Sequence, residues 1–361
     1  MLILLIIIIN VIPDIIIWNC VFTAPTDEWK WLLLLPTTAI FFLMGAAMTT
    51  QKIRQRSIRL IIEATLFLTI PKLMFSVIAW PCGWPAGLAI AVVVILLFAY
   101  AFIDGWKKLG VKEETFVFPD LPKPFDGYRI MQVSDFHIGT FAHHPEFIEK
   151  IVETANSQNA DLIVFTGDLV NKKNSEVQPF TATLAQLKAK DGVLSILGNH
   201  DYLDLSNVIK TEEMMGWQLL LNSHVNIRRG QHTLSVIGVE QTGKPPFGAR
   251  GDLTKALAHV PHNAFKILLT HDPSHWRMEV LDTTDIQLTL SGHTHGGQLK
   301  AGRFSPARLI YREWGGLYTQ QGRALYVSMG VGGRVPFRLG AWPELNLLTL
   351  KTGNDKGGST P

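Results

Sequence analysis

Four long apolar runs occupy the first third of the chain. They cover residues 2–22, 31–48, 60–80 and 86–103. Each run approaches the ~20 residues that a helix needs to cross a ~30 Å hydrocarbon core. The runs lack the polar face that a helix in a soluble bundle presents to water. The pattern therefore predicts an all-α domain of four transmembrane helices over residues 1–103.

The pattern of apolar positions changes after a predicted Pro-rich linker at residues 104–125. Short apolar runs then alternate with segments of helical periodicity, which is typical of an α/β domain with a sheet rich in parallel strands. We expect this domain over residues 126–350 and a disordered tail over 351–361. The predicted strands lie at 128–133, 161–166 and 192–197, the helices at 145–158 and 176–190, and later strands end at Val239, Thr270, Leu290, Met329 and Leu350.

Charge is distributed as unevenly as hydrophobicity. The 361 residues include 33 basic and 30 acidic side chains, but residues 1–103 hold only ten of these and none of the 12 histidines. A net charge of +3 is too small to indicate a nucleic-acid partner. Two cysteines exclude a disulfide scaffold. We therefore expect an integral membrane protein with one water-exposed domain and no bound nucleic acid.

Basic residues predict the orientation of the helices. The second connection contains Lys52, Arg54, Arg56 and Arg59 without an acidic residue, whereas the third connection, at residues 81–85, is uncharged. Short loops rich in Lys and Arg remain in the cytoplasm. The sequence thus predicts a bacterial inner-membrane protein whose amino terminus and α/β domain face the cytoplasm.

Two opposite charges lie deep within the predicted spans. Asp14 and Lys72 each follow an Ile-Pro step, about a dozen residues from the cytoplasmic end of a helix. An isolated charge at the bilayer centre costs ~2.5 to 3.5 kcal/mol even on lenient insertion scales. We therefore expect the two side chains to pair between the first and third helices.

Polar side chains follow five of the predicted strands. In open α/β sheets, ligands bind beyond the carboxyl ends of the strands. Carboxylates, imidazoles and one amide form a donor set suited to Mn²⁺, Fe²⁺ or Zn²⁺. In the Asp-x-His and His-x-His pairs, extended backbone would present both side chains on one side. The residues concerned are Asp135, His137, Asp168, Asn199, His200, Asp201, His271, His293 and His295.

These five blocks resemble the calcineurin-like metallophosphoesterase superfamily. They occur in the order Asp-x-His, Gly-Asp, Gly-Asn-His-Asp, His and Gly-His-x-His, and the resemblance covers residues 126–350. The segments 290–298 and 326–344 look like the membrane-associated branch that contains UDP-diacylglucosamine pyrophosphatases and related phosphodiesterases. The resemblance implies a sandwich of mixed sheets flanked by helices and preceded, in this chain, by the four-helix region.

The resemblance also implies a role for each residue of the five blocks. Two divalent ions (Mn, Fe or Zn) would hold a bridging hydroxide that attacks phosphorus, with no covalent intermediate. His200, beside Asn199, would stabilise phosphoryl oxygens or protonate the leaving group, while Asp201 would orient His200 or cap a helix. The expected ligands are Asp135, His137 and His295 for one ion, Asn199, His271 and His293 for the other, and Asp168 as the bridge.

Two further arginines and two functions remain open. Arg334 and Arg338 lie in the Gly-rich stretch 330–340, where a guanidinium could bind substrate phosphate, although surface positions are an equal alternative. The first function is a membrane-anchored hydrolase of a phosphodiester or pyrophosphate, including a lipid-linked one. The alternative is a sensory or transporter-like membrane module whose regulatory phosphodiesterase domain cleaves a soluble nucleotide.

Overall fold

The chain forms two compact units, which comprise Met1–Asp104 and Gly105–Pro361. The computed structural model describes residues 2–21, 34–47, 60–241 and 250–353. The first unit is helical, and the second contains every described β-strand. The change from one unit to the other thus follows the change in hydrophobic pattern along the sequence.

Each of the four apolar runs contains a helix. Among the described residues, two helices are long and apolar enough to cross a membrane, namely Leu60–Cys82 and the helix that begins at Trp84, while Thr37–Ala46 is a shorter apolar segment. Four complete spans are therefore not confirmed. The helices are α1 (Leu2–Val21), α2 (Leu34–Ala47), α3 (Leu60–Cys82, with a π-helical turn at Thr65–Thr69) and α4 (Trp84–Ile103).

The helical unit has an inverted distribution of polarity. Phe42 is 77% exposed and Leu96 64% exposed, whereas Asp14 is 2% exposed. A protein that folds in water normally buries large apolar side chains and exposes charged ones. The buried polar side chains with described surroundings in this unit are Asn10, Asp14, Thr37, Thr69 and Ser76.

The predicted pairing of Asp14 with Lys72 is confirmed. The Lys72 ammonium donates a hydrogen bond to Asp14 Oδ1 between α1 and α3. The Thr37 hydroxyl of α2 donates to Asp14 Oδ2 at 2.5 Å and accepts from Lys72 Nζ at 2.8 Å. Three helices thus meet at one hydrogen-bonded polar cluster, because each of these groups satisfies the others away from water.

Two six-stranded mixed sheets form the centre of the second unit. Sheet A has the order β1-β12-β2-β3-β4-β5, and sheet B has the order β10-β11-β9-β8-β7-β6. Sheet A comprises β1 (Gly110–Phe118), β2 (Arg129–Val133), β3 (Leu162–Phe165), β4 (Val193–Ser195), β5 (Gln218–Leu219) and β12 (Glu344–Thr352). Sheet B comprises β6 (Ser223–Arg229), β7 (His232–Gly238), β8 (Phe265–Leu269), β9 (Leu288–Ser291), β10 (Gly316–Gln320) and β11 (Arg323–Val327).

Apolar side chains pack on both faces of each sheet. One core cluster joins the inner faces of the sheets through residues such as Ile130, Val164 and Ile267. Helices cover the outer face of sheet A, and a short α-helix at Leu253–Leu257 and a separate π-helical turn at Trp276–Val280 cover that of sheet B. The described helices of this unit are α5 (Pro145–Ser157), α6 (Thr181–Leu184), α7 (Leu205–Met214) and α8 (Leu253–Leu257).

Two predictions about chain organisation are wrong. Residues 104–125 are not a linker, because they contain β1, which pairs in parallel with β12 and buries Phe116 and Phe118. The helix expected over 176–190 is largely absent, and only Thr181–Leu184 is α-helical. Pro179 and β-branched Thr181 and Thr183 disfavour a longer helix there.

The tail expected over residues 351–361 begins later than predicted, because Lys351 and Thr352 belong to β12. Residues 354–361 lie outside the described residues.

The polar cluster predicts energetic coupling between Asp14 and Lys72. Asp14→Asn and Lys72→Gln should each lower the unfolding temperature in detergent, because each leaves a buried charge without its partner. The double substitution should cost less than the sum, with a coupling of about 0.5 to 3 kcal/mol. Thermal unfolding of the four proteins measures this coupling, and additive effects would show that the charges do not interact.

Candidate metal centre

The predicted site residues converge at the carboxyl ends of strands from both sheets. Asp135 follows β2 and Asp168 follows β3, and these neighbouring strands are parallel. His271 follows β8 and His293 follows β9, which are parallel neighbours in sheet B. Asn199 follows β4, the next strand in sheet A. The site therefore lies where the ends of the two sheets meet.

Left-handed backbone directs most of these side chains into the site. Ten described non-glycine residues have positive φ angles, and half of them are expected metal ligands. Such conformations cost about 1 to 3 kcal/mol each and concentrate at functional sites. The expectation of extended backbone in the two x-spaced pairs is thus wrong, although the side chains do converge. The five ligands are Asp135 (φ 54°), His137 (43°), Asp168 (62°), His293 (74°) and His295 (52°).

Two glycines allow the ligand loops to pack against each other. A Cβ atom at Gly198 would lie 2.2 Å from Asp168 Oδ1, and one at Gly292 would lie 2.3 Å from Asp135 Oδ2. Both distances are far shorter than a van der Waals contact. These glycines therefore make room for carboxylates of the site itself.

One carboxylate oxygen lies between the two halves of the site. Asp168 Oδ2 is 3.3 Å from His137 Nε2 and 3.3 Å from His271 Nε2. His137 Nε2 is also 3.2 Å from His295 Nε2, which lies 3.5 Å from Asp135 Oδ1. In the other half, His271 Nε2 is 3.1 Å from His293 Nδ1. Asp168 is thus shared by two groups of nitrogen donors.

These distances fit the coordination of metal ions. Imidazole nitrogens bind zinc at about 2.0 to 2.1 Å, so neighbouring ligands of a tetrahedral ion are about 3.3 Å apart. Asn199 Oδ1 is buried and has no hydrogen-bond partner among the described residues, as expected for an oxygen reserved for a ligand. Groups of three donors that could hold an ion include Asp135-His137-His295 and Asp168-His271-His293.

Hydrogen bonds outside the site fix the orientation of two imidazoles. His271 Nδ1 lies 2.8 Å from the carbonyl oxygen of Thr166, so Nδ1–H donates there and Nε2 is the nitrogen that faces the site. His293 contacts the Tyr311 hydroxyl through Nε2 at 2.9 Å, which leaves Nδ1 directed at the site. Such outer contacts commonly select the ligating nitrogen of a histidine.

Asp168 remains ionised although it is buried. Burial raises the pKa of a carboxyl group, but the imidazoles of His271, His200 and His137 outweigh burial and hold the pKa of Asp168 well below its usual range. Burial lowers the pKa of His271, but Asp168 opposes this effect and raises it to about 10. The site thus combines a permanent negative charge with a ring of nitrogen donors.

Asp201 has a role that the sequence did not indicate. Its carboxylate accepts hydrogen bonds from the backbone N–H groups of Asp168, Leu169 and Val170 and from that of Gly198 at 2.8 to 3.2 Å. Burial, together with the charge of Asp168, raises the pKa of Asp201 to about 7. Asp201 therefore joins the ligand loops that follow β3 and β4 rather than orienting His200.

His200 lies beside the two groups named above and forms a third group of possible donors with His137 and Asp168. Its Nδ1 lies 2.7 Å from the carbonyl oxygen of Asn171, so Nδ1–H donates there and Nε2 is free to face a substrate. Burial lowers the pKa of His200 to about 4. The imidazole is therefore neutral at neutral pH, and an anionic phosphate beside it would raise its pKa.

The two arginines expected at the substrate occupy different environments. Arg338 is 1% exposed and donates to the carbonyl oxygens of His295, Ala341, Gly330 and Gly332. A guanidinium with these contacts cannot reach a substrate, so this expectation is wrong for Arg338. Arg334 is exposed, and its charge acts on His200.

The contact of Tyr311 with the site could not be predicted from the sequence, because no motif surrounds this residue. It lies in a turn-rich segment 18 residues after His293, and its hydroxyl contacts that imidazole only through the fold. A lone tyrosine in a loop between strands carries no signal of such a contact. The structure thus adds Tyr311 as a positioning residue at the metal centre.

Comparison with known proteins agrees with this geometry. The model of the calcineurin-like phosphoesterase family matches residues 128–297. The chain is 33% identical over 249 residues to the uncharacterized metallophosphoesterase YkuE of Bacillus subtilis (strain 168), covering 65% of this chain and 82% of that protein. The chain belongs to the calcineurin-like metallophosphoesterase family. It is therefore a metal-dependent phosphoesterase.

Two other relatives of this metallophosphoesterase differ in length. An uncharacterized metallophosphoesterase of Aquifex aeolicus (strain VF5) is 30% identical over 264 residues, which cover 72% of this chain and 98% of that protein. A transmembrane protein with metallophosphoesterase domain from Danio rerio is 28% identical over 270 residues, which cover 72% of this chain and 61% of that protein. Each alignment covers 72% of this chain, and the family match at residues 128–297 lies within the second unit, hereafter the catalytic unit.

The contrast between the two arginines of this metallophosphoesterase predicts distinct effects. Arg338→Met should lower the melting temperature by several degrees, since it leaves buried carbonyl oxygens without donors, at about 1 to 3 kcal/mol for each unsatisfied group. Arg334→Met is the matched control and should preserve the melting temperature. Thermal unfolding of both variants in detergent measures the difference. Equal melting temperatures would contradict the structural role of Arg338.

Proposed function

We propose that this protein is a membrane-anchored phosphohydrolase with two divalent metal ions that cleaves a phosphodiester or pyrophosphate. The observation that carries the proposal is the position of Asp168 Oδ2 at 3.3 Å from both His137 Nε2 and His271 Nε2. One carboxylate oxygen between two donor groups suits a bridging ligand. When bound, two ions would supply a hydroxide nucleophile and stabilise charge at phosphorus.

The residues divide into two ligand sets around this bridge. Their donor chemistry fits Mn²⁺, Fe²⁺ or Zn²⁺, because carboxylate, imidazole and amide donors occur without a thiolate. The first set is Asp135, His137 and His295, and the second is Asn199, His271 and His293, with Asp168 common to both.

The side chains of His200 and Arg334 would act on the substrate. His200 Nε2 faces outward from the hydrogen bond to Asn171, so it can take up a proton beside a bound phosphate and pass it to the leaving oxygen. Arg334 lies close enough to influence His200, and its guanidinium would bind a phosphoryl oxygen. His200 would thus act on the leaving group, and Arg334 on the phosphoryl group itself.

The proposed substrate is lipid-linked, as for the UDP-diacylglucosamine pyrophosphatases that the sequence resembles. Supporting this proposal are the inverted polarity of the helical unit and the two helices that could cross a membrane. The basic second connection favours a bacterial inner-membrane location with the catalytic unit in the cytoplasm. A hydrolase held at the bilayer would meet such a substrate at high local concentration.

One observation favours a second candidate, in which the helices sense or transport and the phosphoesterase is regulatory. The buried cluster of Asp14, Lys72 and Thr37 places charge inside the helical unit, and ionisable residues inside membranes often serve transport or sensing. In this case the phosphoesterase would cleave a soluble nucleotide.

The bridging role of Asp168 predicts that Asp168→Asn abolishes hydrolysis. The amide lacks the negative charge that two cations share, so metal content should fall from about two ions per chain and activity by at least about 10²-fold. Elemental analysis and hydrolysis of bis(p-nitrophenyl) phosphate by the Mn²⁺-loaded protein measure both effects. Asp285→Asn, at a side chain that is 69% exposed, is the control. Full activity in Asp168→Asn would contradict the proposal.

Substrate preference separates the two candidate functions. The metal-loaded full chain in mixed micelles should hydrolyse a lipid-linked pyrophosphate faster than a soluble nucleotide diester, because the helices retain it at the lipid surface. Rates for both substrates should be measured on the same preparation, with Asp168→Asn as the background. A preference for the nucleotide that does not change with the lipid content of the micelles would instead support the regulatory module.

A further inference from the structure

An exposed apolar loop with a 3₁₀ turn at Pro306–Leu309 lies at residues 303–312 of the catalytic unit. Leu309 is 83% exposed and Ile310 is 78% exposed, the largest values among the described large apolar side chains of this unit, and Phe304 is 56% exposed. Soluble proteins rarely expose contiguous apolar side chains without a binding role. Met278, which is 56% exposed, lines a surface cavity of about 270 Å³ together with Ile310 and Tyr311.

The same loop carries a concentrated positive charge. Residues 303–312 contain Arg303, Arg308 and Arg312 and no acidic residue. All three arginines are exposed, and neither Arg303 nor Arg308 has an ion-pair partner among the described residues. The adjacent Glu313 is buried, accepts a hydrogen bond from Arg277 Nε at 2.6 Å and lies 3.8 Å from Arg312 Nε. Its one charge is thus shared between Arg277 and Arg312, which leaves the loop with a net positive charge.

Hydrogen bonds connect both ends of the loop to the metal centre. The Ser305 hydroxyl donates to the carbonyl oxygen of Gly296 at 2.7 Å, beside His295. At the other end, the Tyr311 hydroxyl contacts His293 Nε2 at 2.9 Å. The exposed apolar side chains therefore form the tip of a loop whose two ends are hydrogen-bonded to the Gly-His-x-His turn.

We propose that residues 303–312 form a docking loop, which inserts Phe304, Leu309 and Ile310 into an anionic membrane surface beside the metal centre. Exposed aliphatic and aromatic side chains flanked by arginines match the chemistry of this boundary, where apolar groups enter the acyl region and cations meet lipid phosphates. The inference rests on the proposed attachment of the chain to a membrane. It adds that the catalytic unit itself contacts lipid, next to the bond to be cleaved.

A fluorescent probe at the tip of the docking loop tests this contact. The full chain with Cys20→Ser, Cys82→Ser and Leu309→Cys is labelled with an environment-sensitive nitrobenzoxadiazole dye and incorporated into lipid nanodiscs. The discs contain phosphatidylcholine alone or a mixture with phosphatidylglycerol. Met214→Cys, at an equally apolar and 70% exposed position of α7, is the matched control.

We expect the probe at position 309 to shift to the blue in anionic discs and to be quenched by spin-labelled lipid. The control probe should stay in water. Raising the salt from 0.1 to 1 M shortens the screening length from about 10 to 3 Å and should reduce the shift. Each arginine near an anionic surface strengthens binding by about fivefold, so replacing all three with Gln should weaken the contact by about 100-fold. The triple Lys variant should retain it.

Several outcomes would overturn the inference. A probe at position 309 that stays in water in anionic discs, in a chain that has entered the discs, would show that the loop does not bind lipid. A shift that appears equally in neutral discs and grows with protein concentration would indicate a second copy of this chain as the partner. A chain that enters neither disc would overturn the membrane attachment itself.

Hydrolysis of a soluble diester separates this inference from the catalytic proposal. The triple Gln variant should hydrolyse bis(p-nitrophenyl) phosphate at the wild-type rate, because the three arginines do not belong to the metal centre. Asp168→Asn should lose that activity but keep the blue shift of the probe. Loss of the shift in Asp168→Asn would overturn the docking loop as a separate lipid contact.

Discussion

The carboxylate of Asp201 is the contact on which the geometry of the metal centre depends. It is fully buried, and by accepting four backbone N–H groups it holds the loop after β3 against the loop after β4. Asp168 and Asn199 lie on these two loops, so this side chain helps to set their separation, together with the hydrogen bond from the His200 N–H group to Asp168 Oδ1 at 2.8 Å. The backbone is left-handed at five ligands, which is an unfavourable conformation. It persists because contacts such as these hold the loops in place.

The expected metal ligands could be predicted from the sequence, because they belong to five short motifs that occur in a fixed order. The ligands follow short apolar strands, and the parallel order of β2, β3 and β4 brings their carboxyl ends to one edge of sheet A. Asp14 and Lys72 were predictable for a different reason, since charge within an apolar helix needs a partner at the same depth. In both cases a short pattern in the sequence, combined with one physical requirement, was enough to predict which side chains lie together.

Contacts between distant loops could not be predicted in this way. Arg338 looks like a phosphate ligand in sequence, but its guanidinium turns inward to the carbonyl oxygen of distant His295 and to those of nearby Gly330, Gly332 and Ala341. Tyr311 has no pattern around it at all. The prolines of residues 119–124 suggested a linker, whereas β1 before them is an edge strand whose partner, β12, lies at the far end of the domain.

The pairing of β1 with β12 determines the order in which the catalytic unit can be completed. Gly110 pairs with Glu344 and Phe118 with Thr352, so, among the described strands, the first to be synthesised has its one ladder partner in the last. During translation β1 must wait as an unpaired strand until nearly the whole unit has left the ribosome. Because β12 lies between β1 and β2, late synthesis supplies an interior strand of sheet A, and until then β1 and β2 present open edges with which another chain could pair.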